Sequence, residues 1–182
     1  EHMLNYFKYF QQKSIKTKPS MLLNYIDIPK TQSLQSMVPK FEANVVLDID
    51  YREMAWLSQN QARQIISDFC AFVDLLVGND EEFAMLSGGS LSEGKLYAKK
   101  FAVNDSVALY KTGSTGCDIF NNHASEHVST YKVTPVKPFG AGDAFLGNVM
   151  GHLAHEKNWV KAIKAGAAAA AMVVSRQGCA SA

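Results

Sequence analysis

Residues 44–49 read NVVLDI, a short apolar run in which three side chains are β-branched. Such a run predicts a buried strand. Residues 59–72 follow with apolar side chains at the spacing of one helix face, which predicts a helix. Residues 73–77 are apolar except for Asp74 and predict a second buried strand. A strand, a helix and a strand in this order indicate a right-handed βαβ unit with parallel strands.

The same alternation continues along the chain. The remaining predicted elements are helices at residues 81–86 and 91–101, a strand at 106–111, a hairpin of strands at 117–120 and 127–133, and helices at 142–156 and 159–175. Residues 5–12 and 21–28 predict an amphipathic helix and a strand that fit the alternation poorly. The fold class is predicted to be α/β, with a mainly parallel sheet and helices on both faces. Ligands of such sheets bind beyond the carboxyl ends of the strands, so chemistry is expected directly after each strand.

The composition excludes several classes of protein. Of the 182 residues, 47% are hydrophobic and 19% are charged, which excludes a disordered or fibrous chain and predicts one domain. The net charge of +1 gives no reason to expect nucleic acid or an anionic membrane as a partner. The apolar run at 165–174 is too short to span a bilayer, and we recognise no signal-peptide pattern. The three cysteines form no CxxC pair, so we expect neither a disulfide framework nor a zinc site, and we expect a cytoplasmic protein.

The segment KPFGAGDAF at residues 137–145 carries the strongest chemical signal. Two glycines separated by an alanine lead into a predicted helix, and small residues there let backbone N–H groups surround an anion. The carboxylate of Asp143 would lie in the first turn, close to that anion. It could accept a proton from an attacking hydroxyl, or it could only complement the helix dipole. The residue types alone leave both interpretations open.

This segment differs from the two commoner nucleotide-binding loops. Gly140 and Gly142 are followed by Gly147, a spacing that fails the Rossmann fingerprint. The P-loop pattern G-x-x-x-x-G-K-[ST] does not occur in the sequence. A Rossmann-type oxidoreductase is therefore disfavoured.

The segment resembles the C-terminal signature of the ribokinase-like carbohydrate kinases, whose core is Gly-Ala-Gly-Asp at the start of a helix. Four more segments resemble motifs of that family in its order: DIDYR at 48–52 with Trp56 after it, NDEE at 79–82, KTGSTG at 111–116, and SRQGCA at 175–180 after the last helix. The residues of the DIDYR and KPF segments are most similar to those of the inositol-catabolism branch of the family, the 5-dehydro-2-deoxygluconokinases. The resemblance covers residues 44–182 and implies a three-layer ribokinase-like α/β domain.

The resemblance implies a kinase that transfers the γ-phosphate of ATP to a hydroxyl of a sugar or sugar acid, such as 5-dehydro-2-deoxygluconate, with Mg²⁺ bound. Asp143 would be the base, and the backbone amides of Gly140, Ala141 and Gly142 would hold the transferring phosphoryl group. The residues implied to bind the nucleotide are Lys111, Gly113, Gly116, Gly178, Asn79 and Arg52. Glu82, together with Asn79, would organise Mg²⁺ through water.

Several of these residues have a structural alternative. Asn79 followed three residues later by Glu82 is also the pattern of a capping box. Arg52 could pair with a neighbouring carboxylate instead of binding phosphate. The two loop glycines could form a plain turn. His152 and His155 lie three residues apart on a predicted helix without a third ligand, so we expect exposed histidines and no metal site.

The first part of the chain departs from the family pattern. Residues 1–43 are unassigned, whereas residues 44–182 are predicted to be the nucleotide-binding and catalytic part of a kinase domain. We recognise no lid and no glycine-rich sugar-binding motif, so we expect that the 182 residues alone do not form a complete sugar kinase. The alternative function is a non-catalytic nucleotide-binding or regulatory domain of the same fold. The expected partner is a small sugar or sugar acid, and a homodimer is one oligomeric state that the sequence leaves open.

Overall fold

The computed structural model describes residues 20–24, 44–122, 124–136 and 139–176. The strands are β1 (Ser20–Asn24), β2 (Asn44–Asp48), β3 (Leu75–Asn79), β4 (Val107–Lys111), β5 (Cys117–Asn121) and β6 (Ala124–Val128). The α-helices are α1 (Gln59–Cys70), α2 (Asp80–Ser87), α3 (Leu91–Phe101), α4 (Ala141–His155) and α5 (Trp159–Val174). The helix predicted at 5–12, the last four residues of the strand predicted at 21–28, and Gly178 lie outside the described residues.

The strands follow one another across the sheet in the order β1-β2-β3-β4-β5-β6. Strands β1 to β4 are parallel, with Leu47 beside Leu76 and Leu76 beside Ala108. Helices connect β2 to β3 and β3 to β4, as parallel neighbours require. Connections of five and two residues lead to β5 and β6, and connections this short produce antiparallel neighbours. The predicted α/β fold with a mainly parallel sheet is confirmed.

One predicted strand is displaced by two residues. The strand predicted at 73–77 is β3 at Leu75–Asn79. Val73 is buried, but its N–H donates to the carbonyl oxygen of Cys70 and so completes the turn that ends α1. The N–H of Asp74 then donates to the carbonyl oxygen of Val45, which starts the pairing of β3 with β2.

The second strand of the predicted hairpin lies earlier in the chain than its sequence pattern indicates. The prediction of residues 127–133 is wrong, because β6 is Ala124–Val128. A short hairpin connection lets the second strand begin directly after the turn, which explains the earlier start. Tyr131 and Val133, the apolar residues of the predicted strand that lie beyond β6, are exposed.

The chain divides into two compact units. The first contains the described residues up to Lys111 together with Phe120–Ser125. The second contains Thr112–Ile119 and the described residues from Glu126 onward. The predicted site residues are distributed over both units, so we describe each unit by itself.

The core of the first unit lies where one face of the sheet meets α1, α2 and α3. Phe83 of α2 is fully buried there, with its ring 5.3 Å from the ring of Tyr110 on β4. The opposite face of the strands is buried as well, at Val46, Val77 and Leu109. Burial on both faces explains why these strands read as continuous apolar runs.

Most of the helices begin at a polar side chain that accepts a hydrogen bond from the first turn. These capping residues are Ser58 for α1, Asn79 for α2, Ser90 for α3 and Asn158 for α5. Helix α4 differs, because its N-cap is Gly140, which has no side chain to offer. The first-turn N–H groups of α4 therefore face outward without a capping side chain.

The second unit is built around α4 and α5, which pack against each other. Their buried residues include Phe145 and Val149 on α4 and Ile163 on α5. The N–H of Val136 donates to the carbonyl oxygen of Val174 at 2.7 Å, so the segment before α4 is held at the end of α5. None of the helices that the structure describes combines the length and apolar character needed to cross a membrane.

Candidate active site

Polar side chains occupy the carboxyl ends of three neighbouring parallel strands in the first unit. Asp48 is the last residue of β2, Asn79 the last of β3 and Lys111 the last of β4. Asn79 lies beside Lys111 in the register of β3 and β4. Ligands of parallel sheets bind at this edge. Two residues predicted to bind the nucleotide, Asn79 and Lys111, are therefore brought together.

Glu82, predicted to organise Mg²⁺, lies in the first turn of α2, directly after β3. Its Oε2 accepts a hydrogen bond from the N–H of Asn79 (2.7 Å), and Oδ1 of Asn79 accepts one from the N–H of Glu82 (2.7 Å). The capping box that was the alternative interpretation is thus present. The other oxygen, Oε1, accepts from the N–H of Tyr51 at 3.1 Å. Glu82 therefore also connects the end of β3 to the segment after β2, which a capping box alone does not do.

The charged groups at this edge of the sheet lie close together. Nζ of Lys111 lies 3.4 Å from Oδ1 of Asp48, whose side chain is 7% exposed. Burial raises the pKa of Glu82, while the nearby charge of Lys111 and the hydrogen bond from Asn79 lower it in part. The charge of Asp48 raises that pKa further. Two carboxylates beside one ammonium group leave an excess of negative charge when all are ionised, and such a site favours a cation.

Arg52 follows β2 and lies at the protein surface. Its Nη2 donates to Oδ1 of Asp50 at 2.7 Å, so the ion pair that was the alternative interpretation is present. The two side chains are 63% and 36% exposed, and a pair this exposed contributes little to stability. A phosphate could therefore replace Asp50 as the partner of Arg52 at small cost, and the role of Arg52 stays a prediction.

The segment around Asp143 forms the start of α4 in the second unit. Gly140 has a φ of 83°, in the left-handed region that glycine enters without strain. The first helical hydrogen bond runs from the N–H of Ala144 to the carbonyl oxygen of Gly140 (3.0 Å). The N–H groups of Ala141, Gly142 and Asp143 thus have no partner within the helix and are available to an anion. Asp143 is exposed in this first turn.

The loop between β4 and β5, residues 112–116, is a closed turn. The N–H of Thr112 donates to the carbonyl oxygen of Gly116 (2.9 Å), and the N–H of Thr115 donates to that of Thr112 (3.2 Å). Gly113 and Gly116 both have positive φ, at 59° and 132°. The two glycines therefore form a turn, as one of the two interpretations of the sequence expected. Nucleotide binding by this turn stays a prediction.

The structure gathers part of the predicted site and leaves other parts in separate places. Asn79, Glu82 and Lys111 form one cluster of the first unit, and Arg52 lies on the segment after β2. In the second unit, residues 140–143 are consecutive at the start of α4, apart in sequence from the glycine turn. The contact of Tyr51 with Glu82 could not be predicted from the sequence, because every residue except proline carries a backbone N–H and its presence identifies no residue type.

Comparison with known proteins assigns the chain to a family. A profile described as pfkB family carbohydrate kinase matches residues 30–182. The chain belongs to the pfkB family of carbohydrate kinases. A curated relative, the 5-dehydro-2-deoxygluconokinase of Photobacterium profundum, is 31% identical over 141 residues. That match covers 74% of this chain and 42% of the relative, so the chain spans less than half the relative's length.

Solved structures of kinases have the same fold as this pfkB family chain. A fructokinase from Vibrio cholerae O395, in its fructose, ADP and calcium ion bound form, matches 93% of this chain and 59% of its own, with a TM-score of 0.78 and 20% identity. A ribokinase from Thermotoga maritima matches 88% of this chain and 51% of its own, with a TM-score of 0.67 and 27% identity. The predicted ribokinase-like α/β fold is thereby confirmed.

Proposed function

We propose that residues 44–182 are the nucleotide-binding and catalytic part of an ATP-dependent sugar kinase. The observation that carries the proposal is the cluster of Asn79, Glu82 and Lys111 at the carboxyl ends of β3 and β4, in a chain of the pfkB family. The activity is proposed for the whole protein that contains these residues, because the chain spans only 42% of the relative from Photobacterium profundum.

The residues of this cluster suit a magnesium ion held through water. Mg²⁺ usually keeps several waters and binds through one or two carboxylates together with substrate phosphates. Each oxygen of Glu82 accepts one backbone hydrogen bond and keeps a lone pair for a water of the ion. Asp48 adds a second carboxylate whose charge Lys111 offsets. When held through water by Glu82 and Asn79, Mg²⁺ would supply positive charge that offsets the negative charge of the phosphates.

The start of α4 supplies the groups that phosphoryl transfer requires. The N–H groups of Ala141 and Gly142, with that of Gly140, bind the oxygens of the γ-phosphoryl group, over which negative charge is spread during transfer. The hydroxyl oxygen of the sugar attacks the γ-phosphorus, the bond to the oxygen shared with the β-phosphate breaks, and ADP leaves. The carboxylate of Asp143 accepts the hydroxyl proton. Its exposure in the first turn leaves it accessible to a substrate hydroxyl.

The substrate we propose is a sugar acid, 5-dehydro-2-deoxygluconate. Support comes from the name of the Photobacterium profundum relative and from the DIDYR and KPF segments of this sequence. The proposal thus rests on a relative at 31% identity and on a few residues of this chain.

Glu82→Gln should raise the Mg²⁺ concentration for half-maximal rate by about 10- to 100-fold, the usual effect of changing a residue that orients a metal's ligands. The matched control is Glu93→Gln, which removes the equivalent carboxylate from the capping box of Ser90 on α3. That control should lower the melting temperature and leave the Mg²⁺ titration unchanged. Equal Mg²⁺ titrations of the parent and Glu82→Gln would mean that Glu82 is only a helix cap.

The experiment that tests the proposed function is a screen of sugars and sugar acids with detection of ATP consumption in the whole protein. We expect consumption that depends on Mg²⁺ and is greatest with 5-dehydro-2-deoxygluconate. Consumption with another sugar would support the proposed kinase activity and contradict only the proposed substrate. Binding of ATP without consumption in the presence of any sugar would favour the non-catalytic nucleotide-binding domain instead.

A further inference from the structure

A histidine contacts the turn between β4 and β5 and also contacts an aspartate, and both side chains belong to the second unit. Nδ1 of His127 on β6 lies 2.6 Å from Oδ1 of Asp118 on β5. Nε2 of the same ring lies 3.1 Å from the carbonyl oxygen of Thr115 in the turn. Asp118 is buried, whereas the side chain of His127 is 47% exposed. The ring thus connects a buried carboxylate to the turn itself.

Both partners of this imidazole ring are acceptors. A carboxylate oxygen and a carbonyl oxygen each accept a hydrogen bond from a ring N–H. The contact with Asp118 therefore orients His127 so that Nε2 faces the turn.

The contact with Thr115 fixes the direction of one peptide group in the turn. Because a peptide is planar and trans, a carbonyl of Thr115 that points at His127 makes the N–H of Gly116 point to the opposite side. Gly116 also lies close to the same strand, since an added Cβ atom would be 2.2 Å from the carbonyl oxygen of Val128. The backbone of residues 115–116 is thereby fixed on β6.

We propose that His127 and Asp118 form a positioning pair that holds the glycine turn, residues 112–116, in the conformation that receives the nucleotide. This inference rests on the proposed function, in which Gly113 and Gly116 bind the nucleotide. Neither side chain touches the nucleotide in this account. His127 acts through the carbonyl of Thr115, and Asp118 acts through His127.

Two substitutions at His127 separate the two contacts. Asn places its amide N–H₂ near the position of Nδ1, so His127→Asn keeps the bond to Asp118 and loses the bond to the turn. Gln places its N–H₂ near the position of Nε2, so His127→Gln keeps the bond to the turn and loses that to Asp118. The measurements are thermal unfolding, calorimetric binding of ADP with Mg²⁺, and amide hydrogen exchange of residues 112–116 without nucleotide.

We expect the two variants to give opposite patterns. His127→Asn should unfold like the parent, exchange faster across the turn, and bind ADP about 5- to 10-fold more weakly, the effect of one lost hydrogen bond. His127→Gln should be the less stable variant and should bind ADP within about twofold of the parent, since the turn keeps its bond. A purely structural role would instead make affinity follow stability, and that result would overturn the proposal.

Hydrogen exchange distinguishes failure of this inference from failure of the proposed function. If the parent binds no ADP, the nucleotide role of the turn is wrong and the proposed function fails with it. Faster exchange in His127→Asn alone would then still establish that the pair holds the turn. Unchanged exchange in both variants would refute the positioning pair, whatever the parent binds.

Discussion

Asp143→Asn is expected to lower turnover by about 10²–10⁴-fold, the range for loss of a positioned general base, while ATP affinity stays near that of the parent. The amide cannot accept the hydroxyl proton, but the N–H groups at the start of α4 still bind phosphate. Asp143 is exposed, so its substitution by a side chain of the same size should leave the fold intact. The checks are the steady-state rate in the whole protein and calorimetric affinity for ATP.

The control for Asp143→Asn separates a base from a charge that only complements the helix dipole. Asp143 is the third residue of α4, and Glu93 is the third residue of α3, so Glu93→Gln removes a carboxylate from the same position of a helix. Glu93→Gln should reduce thermal stability and leave turnover unchanged. Turnover of Asp143→Asn within a few-fold of the parent would leave only the dipole role for Asp143.

Gly116→Ala is expected to destabilise the protein by about 2–6 kcal/mol, the sum of backbone strain and overpacking of about 1–3 kcal/mol each. The strain arises because Gly116 has φ 132° and ψ −142°, a region that is nearly restricted to glycine. The overpacking arises because the new Cβ atom would lie 2.2 Å from the carbonyl oxygen of Val128 and 2.9 Å from Cα of Ser129. Both neighbours are backbone atoms and cannot move aside cheaply. Denaturant unfolding measures the loss.

Gly113→Ala is the matched control within the same turn. Gly113 has φ 59°, and an added Cβ atom would meet nothing within 4 Å. The Gly113→Ala variant should therefore lose only the free energy of unfolding that the left-handed strain costs, about 1–2 kcal/mol. Equal losses for the two alanine variants would contradict the close packing of Gly116 on β6.

The alternation of strands and helices could be predicted from the sequence because the strands are buried on both faces. Val46 and Leu47 point to opposite faces of β2 and are both buried, so the whole strand is apolar. Helix α3 was predicted at its observed bounds. The end of the hairpin could not be predicted, because Tyr131 and Val133 are apolar and nevertheless exposed.

The part of the candidate site that could be predicted consists of polar residues that directly follow an apolar strand. Asn79 and Lys111 follow apolar runs, and polar residues that end parallel strands share one edge of the sheet. The contact between the two strands of the hairpin could not be predicted, because no pattern of residue types in the sequence indicates it. Asp118 and His127 are nine residues apart, and only the pairing of β5 with β6 places a ring nitrogen 2.6 Å from a carboxylate oxygen.

We propose that this pfkB family chain supplies the site at which a phosphoryl group is transferred from ATP to a sugar hydroxyl. The most direct test is ³¹P NMR of the whole protein with ATP, Mg²⁺ and 5-dehydro-2-deoxygluconate. We expect the γ-phosphate signal of ATP to disappear while ADP and a phosphomonoester appear in equal amounts. ATP that remains intact, or that yields inorganic phosphate without a phosphomonoester, would contradict it.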